Sequence, residues 1–162
     1  MPPPIRPCRA HSPDLASNLA LDEALLLGTE EGGPEALRFW EWTGYAVVLG
    51  AGGKLAEDVD EPACRRDGVP ILRRSSGGGT VLLGPGCLLF TLALSFDRDP
   101  ALRDINASYR WILGRVIRAL RPFADGEMRL EGVCDLATGG RKFSGNAQQR
   151  KRNSVLHHGT LL

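Results

Sequence analysis

The sequence predicts an α+β protein: a mixed, largely antiparallel sheet flanked by helices. Two segments, residues 14–27 and 105–120, carry the composition or spacing of helices. Between and after them lie short runs rich in β-branched and aromatic residues. Glycine and proline turn signals separate those runs, so neighbouring strands read as hairpins.

The first helix, residues 14–27, is rich in Ala and Leu, follows Ser12-Pro13 as a start signal and runs into Gly28 as a stop. It should carry Asn18, Asp22 and Glu23 into a shared environment. Residues 37–42 and 45–49 flank Thr43-Gly44 in the pattern of a β-hairpin. Residues 61–67 form a short helix closed by Gly68, and residues 69–74 a strand that enters a glycine run. Residues 80–83 and 87–96 read as paired strands around Gly84-Pro85-Gly86.

The second long helix, residues 105–120, places Ile105, Tyr109, Ile112, Leu113, Val116, Ile117 and Leu120 on one face, and Pro122 forbids its continuation. Four short strands follow at residues 127–130, 133–137, 141–144 and 154–162, broken by Gly132, Gly139-Gly140 and Gly145. With neither repeat nor linker, residues 1–162 read as a single domain. The chain stops inside an apolar strand-like segment, which reads as an incomplete C-terminal end.

A chain of 162 residues with 43% hydrophobic content can bury a real core. Its 20 basic and 19 acidic residues nearly cancel, which argues against a nucleic-acid binder. No apolar run approaches the roughly 20 residues that span a bilayer, and Pro2-Pro3-Pro4 begins no signal peptide, so the expectation is a cytoplasmic protein without a membrane partner. Cys8, Cys64, Cys87 and Cys134 form no metal-ligand or redox spacing.

The chemistry concentrates in three blocks. Arg73-Arg74-Ser75-Ser76-Gly77-Gly78-Gly79-Thr80 is a basic, hydroxyl-bearing glycine loop between two strands, able to bring backbone N–H groups close to an oxyanion. It lacks the Gly-Lys-Ser/Thr of a P-loop, and a strand follows it where a dinucleotide fingerprint needs a helix. Taken alone, it serves equally well as a wide turn. The second block is Arg141-Lys142-Phe143-Ser144-Gly145-Asn146-Ala147. Lys142 is one of only three lysines among 20 basic residues, so Arg is this chain's routine surface cation and a motif lysine is informative. A compact ammonium suits bridging a carboxylate and a phosphate; the bland reading is an edge-strand lysine in solvent. In the third block, His157-His158-Gly159-Thr160-Leu161-Leu162, strand alternation sends the two histidines to opposite faces, so they cannot easily share a metal.

Together with the opening helix Asn18-Leu19-Ala20-Leu21-Asp22-Glu23, these blocks resemble, in order, the signature blocks of the lipoate-protein ligase family from about residue 14 to the end. The resemblance implies the biotin/lipoate ligase and class II synthetase-like catalytic core. It implies two steps: lipoate and ATP give lipoyl-adenylate, and a lysine of an acidic lipoyl acceptor domain then displaces AMP. Such acceptors are the acyltransferase subunit of 2-oxoacid dehydrogenases and the glycine cleavage H protein.

By position within the motifs, the resemblance assigns Lys142 as catalytic, in contact with acyl carboxyl and phosphate oxygens. It assigns Arg74, Gly79, Thr80, Val81 and Leu82 to the adenylate, Arg73, Ser75, Gly77, Gly78 and His158 to the acyl chain, and Asp135 to Mg2+. Where many members have Asn-Asp, this chain has Cys134-Asp135. Related octanoyltransferases pass the acyl group through a cysteine thioester without ATP, so two alternatives to the ligase stand: a transferase using Cys134, and a truncated domain that binds acyl-adenylate without turnover. For Cys134 the bland reading is a small, buried strand residue. Residues 139–162 also hold Arg141, Lys142, Arg150, Lys151 and Arg152 and no acidic residue, a patch expected beside the active lysine that could steer an acidic acceptor.

Overall fold

The computed structural model describes residues 2–123 and 126–162. The chain opens with β1 (Arg6–Cys8) and enters α1 (Leu15–Glu30), where Asp14 caps the helix by accepting from the Ser17 N–H at 2.7 Å. α1 buries Leu15, Asn18, Asp22, Leu26 and Thr29, positions three or four residues apart that form one stripe. Two of those five are an amide and a carboxylate, which is why the helix shows little apolar periodicity in sequence. Leu26 packs with Ala93 and Leu156, a fully buried side chain contributing about 2 kcal/mol.

β2 (Ala36–Glu41) and β3 (Ala46–Leu49) follow, then α2 (Leu55–Asp58), α3 (Glu61–Arg66), β4 (Ile71–Arg73), β5 (Val81–Leu83) and β6 (Leu88–Ser95). A 3-10 turn (Pro100–Arg103) leads to α4 (Ile105–Leu120), capped by Asp104 and followed by a second 3-10 turn (Arg121–Phe123) at Pro122. β7 (Met128–Glu131), β8 (Asp135–Thr138), β9 (Arg141–Arg150) and β10 (Ser154–Leu161) complete the chain.

Seven strands form one sheet in the order β1-β2-β6-β10-β9-β8-β7, antiparallel except for the parallel β1–β2 pair. A smaller sheet runs β4-β3-β5, parallel at β3–β4 and antiparallel at β3–β5. α1 and the small sheet cover one face of the large sheet, where Leu15, Trp40, Ala46, Val48, Leu83 and Leu89 pack together. α4 covers the other face, with Ile112 against Leu94 and Val155, and Leu113 against Leu136.

The α+β class with a mostly antiparallel sheet is as expected, but both early hairpins are not. β2 and β3 flank Thr43-Gly44 yet lie in different sheets, because β1 and β6 occupy both edges of β2. Likewise β5 pairs with β3 and not with β6. β1 and α2 are too short to leave a pattern. The strand expected at residues 141–144 continues to Arg150, since pairing with β10 satisfies its backbone and overrides the weak strand propensity of Gly145, Asn146 and the glutamines.

Candidate active site

A cavity of about 310 Å³ opens on the α1 face between the two sheets. Its apolar lining includes Leu19, Trp40, Val48, Leu83, Leu89 and Phe90. Gly78, Gly79, Thr80 and Val81 form one wall, and Cys134, Asp135, Lys142, Gly145, Asn146 and Ala147 a second, the two meeting at Gly78 and Ala147.

The glycine-loop wall is held together by its own arginines. Arg74 is buried, and its guanidinium donates to Ser76 Oγ at 2.9 Å, Val48 O at 3.2 Å, Gly77 O at 2.7 Å and Gly79 O at 2.9 Å. Four of its five N–H groups are thereby committed, three to the loop and one to β3, and burial lowers its pKa. Arg73 turns outward, its Nη1 donating to Gly50 O at 2.8 Å and Gly53 O at 2.7 Å. The loop lies directly on Gly50, where an added Cβ would stand 2.0 Å from Gly78 O, and Gly78 holds φ +91°. Ser75 Oγ donates to Gln149 Oε1 at 2.6 Å, and Thr80 Oγ1 to Asp58 Oδ2 at 3.0 Å. Leu82 is 62% exposed and outside the cavity.

A buried chain of polar contacts ties this loop to α1, hydrogen-bonded at each step except between His158 and Asp22. Ser76 Oγ lies 2.5 Å from His158 Nε2, and His158 Nδ1 lies 3.5 Å from Asp22 Oδ2. Asp22 Oδ1 accepts from Arg38 Nη1 at 2.7 Å, both side chains being almost wholly buried. Arg38 also donates to Asn18 Oδ1, to Asn18 O at 3.0 Å and to Ala10 O at 2.9 Å. Ser76 Oγ accepts from Arg74 Nε, and an Nδ1 proton on His158 would face the Asp22 carboxylate. The expected shared environment of Asn18 and Asp22 is this network; Glu23 is half-buried outside it.

The second wall presents a cation that the fold leaves accessible. Lys142 lies near the start of β9, an inner strand between β8 and β10 and not an edge, and its Nζ pairs with Asp135 Oδ2 at 2.8 Å. The ammonium-bearing side chain is 55% exposed. Gly145 leaves it room, since a Cβ there would sit 3.3 Å from Nζ. Asn146 fixes the preceding turn: its Nδ2 donates to Cys134 O at 2.7 Å, and its Oδ1 faces His157 Nε2 at 3.3 Å. That amide fits only because residue 159 is glycine, whose added Cβ would meet Asn146 Oδ1 at 2.0 Å.

Cys134 belongs to the turn before β8 and not to a strand. It lines the cavity, but burial and the Asp135 carboxylate push its thiol pKa up, against the smaller opposing pull of Lys142. This is the reverse of the lowered thiol expected for a nucleophile.

The sequence thus brought Arg74, Gly78, Gly79, Thr80, Val81, Asp135, Lys142 and His158 to one cavity, while Arg73, Ser75, Gly77 and Leu82 support or flank it. Sequence reasoning missed Trp40, Thr91 and Asn146; Asn146 stood in a quoted motif, but the other two looked like ordinary strand residues. The expected basic patch separates. Lys151 and Arg152 sit at the β9–β10 turn, nine and ten residues along from Lys142, or roughly 30 Å at the rise of a strand. Arg150 is turned inward, donating to Leu102 O and to Gln148 Oε1 at 3.0 Å, with its guanidinium 4.7 Å over the Phe96 ring. Among the described residues, no cluster of three or more His, Cys, Asp or Glu could hold a metal ion, and no helix is long and apolar enough to cross a membrane.

Known proteins share this fold. The bi-partite lipoate protein ligase of Thermoplasma acidophilum, described with its E2 lipoyl domain, superposes with a TM-score of 0.87 at 26% identity, over 98% of this chain and 61% of that one. A lipoate-protein ligase A crystallised with ATP gives a TM-score of 0.82 at 26% identity, over 98% of this chain and 66% of that one. An octanoyltransferase LipM of Moorella thermoacetica is 30% identical over 168 residues, covering 92% of this chain and 61% of that protein. The chain therefore spans about 60% of the length of such curated relatives. Residues 14–162 match the lipoyl protein ligase A/B catalytic domain, and the chain belongs to that family.

Proposed function

We propose that this chain carries the acyl-activating site of a cytoplasmic, ATP-dependent lipoate-protein ligase. The supporting observation is the asymmetry of the cavity: an apolar interior able to take a medium-length acyl chain, closed at one side by an accessible ammonium beside Asp135 and at the other by a preorganised glycine loop.

In the first step a carboxylate oxygen attacks the α-phosphorus of ATP and pyrophosphate leaves, so two anions must be brought together. Lys142 supplies the mobile positive charge for that approach, and Gly79, Thr80 and Val81 offer close backbone. Arg74 acts by holding the loop. In the second step the amine of an acceptor lysine attacks the acyl carbon and AMP departs. Acidic lipoyl domains are the proposed acceptors, and Lys142 at the cavity, with Arg141 beside it in the chain, is better placed to meet them than the distant turn. Asp135 contributes a single carboxylate, which suits Mg2+ only as an ion carried by nucleotide phosphates, the usual way such an ion is bound.

The transferase reading draws on the likeness to the Moorella protein. Cys134, with its raised pKa, argues against it. The test is acyl transfer from free lipoate to an apo lipoyl domain with and without ATP, with pyrophosphate release followed in parallel. Transfer that requires ATP supports the ligase. ATP-independent transfer from an acyl carrier, with an acyl group trapped on Cys134, overturns it.

A further inference from the structure

We infer that His157 is a positioning residue for the adenylation step: from outside the cavity, and through Asn146, it holds the turn from which Asp135 meets Lys142. This deepens the function proposed above and rests on it.

His157 is fully buried between Phe90 and Tyr109 of α4, and it does not line the cavity. A phenylalanine would fill the same space without desolvating two ring nitrogens, so packing alone gives no reason for a histidine there. Both nitrogens have partners. Nδ1 lies 3.3 Å from Gln148 Nε2, and Nε2 lies 3.3 Å from Asn146 Oδ1.

The polarity of this chain of contacts is fixed from both ends. At one end Arg150, which can only donate, gives a hydrogen bond to Gln148 Oε1 at 3.0 Å and so turns the Gln148 NH2 toward His157. His157 Nδ1 therefore accepts, and the single proton of the neutral ring sits on Nε2. At the other end the Cys134 carbonyl, which can only accept, takes Asn146 Nδ2 at 2.7 Å and leaves Asn146 Oδ1 to accept from that proton. An imidazolium would set N–H against N–H at Gln148. Burial, and after it the neighbouring His158, lower the His157 pKa to about 3, so the ring stays neutral in this one tautomer.

Asn146 acts where the sheet is irregular. Pairing of β8 with β9 shifts register between Leu136 and Ala137 and ends at Leu136 opposite Ser144, so Cys134 and Asp135 have no rung on β9. Continued antiparallel register would set Cys134 opposite Asn146, and the side-chain amide bonds the Cys134 carbonyl in place of the missing ladder bond. Asp135, the next residue, reaches Lys142 Nζ at 2.8 Å. Without the Nε2 donor, Asn146 Oδ1 loses its partner, the amide can rotate off the Cys134 carbonyl, and Lys142 loses the fixed carboxylate that aims it. A displacement of about 1 Å at a reacting group can lower a rate about a hundredfold.

The test is pyrophosphate release from lipoate and ATP by the parent chain, His157→Gln, His157→Phe, Asn146→Ala and the double variant His157→Phe with Asn146→Ala, each shown to be folded by circular dichroism. His157→Phe should lower kcat by about tenfold or more while KM for lipoate and for ATP moves by less than about threefold. His157→Gln, whose NH2 can stand in for the Nε2 proton, should keep kcat within about threefold of the parent. In the double variant, His157→Phe should add less than about twofold to the loss from Asn146→Ala, because both act through one chain of contacts. A parent-like kcat in His157→Phe, a loss in His157→Gln equal to that in His157→Phe, or losses that multiply in the double variant overturns the inference and leaves the ligase reading standing. A folded parent that releases no pyrophosphate overturns both. If His157→Phe does not fold, a parent-like kcat in Asn146→Ala overturns the inference instead.

Discussion

The two walls of the cavity both carry motif cations, yet they use them oppositely. On the glycine-loop wall, Arg74 is buried and spends four N–H groups on Ser76, Val48, Gly77 and Gly79, while Arg73 braces Gly50 and Gly53. On the β8–β9 wall, Lys142 has one ion-pair partner and a side chain more than half exposed. A guanidinium with five directional donors is suited to knitting carbonyls together, whereas an ammonium on a flexible stem can leave its carboxylate for a ligand. The basic residues of the motifs can therefore divide into scaffold and reagent, and burial decides which is which.

That contrast is most directly broken by exchanging both cations for methionine. Lys142→Met should reduce adenylate formation by about 10²–10³-fold, the range seen when a charge-stabilising donor is removed. Its melting temperature should move by no more than about 2 °C, because an exposed pair contributes little. Arg74→Met should do the reverse, lowering stability by about 2–4 kcal/mol in urea titration through three carbonyls left short of a donor. Comparable stability losses in both variants would erase the distinction between the walls.

The same division recurs on β10, where His157 and His158 are neighbours in sequence but face opposite sides. His157 is fully buried between Phe90 and Tyr109, and burial lowers its pKa from 6.5 to about 3. Below pH 6.5 the unfolded chain takes up this proton while the folded chain does not until near pH 3, so stability falls as pH falls through that window. From pH 7 to pH 5 this residue alone should remove about 2 kcal/mol, measurable by denaturant titration at the two pH values. His157→Gln should flatten the slope; an unchanged slope would mean the histidine is not held neutral.

Two smaller effects sharpen the picture. Cys134→Ser should leave ATP-dependent transfer within about threefold, because a thiol with a raised pKa is a poor nucleophile. Lys151→Ser with Arg152→Ser should slow transfer to the acceptor domain by less than about twofold at about 0.1 M salt, since exposed charges at such a distance are then screened beyond roughly 10 Å. A large, salt-sensitive defect would put the acceptor's footprint at the far end of β9.

By itself, the sequence determined the α+β class, both long helices, and the motifs that supply Arg74, Gly78, Gly79, Lys142 and His158 to the cavity. Helix caps, glycine turns and rare lysines are local signals, and they survive without knowledge of the fold. Tertiary structure alone decided which strands pair. Thr43-Gly44 and Gly84-Pro85-Gly86 carry turn chemistry, but a turn does not specify the partner sheet when other strands already fill both edges. Burial likewise decided that Arg74 serves the loop and Arg150 the core, because a guanidinium in a sequence names no acceptor until carbonyls distant in the chain surround it. Thr91 and Trp40 gave no sequence signal at all. Only the pairing of β2 with β6 brings them to one cavity.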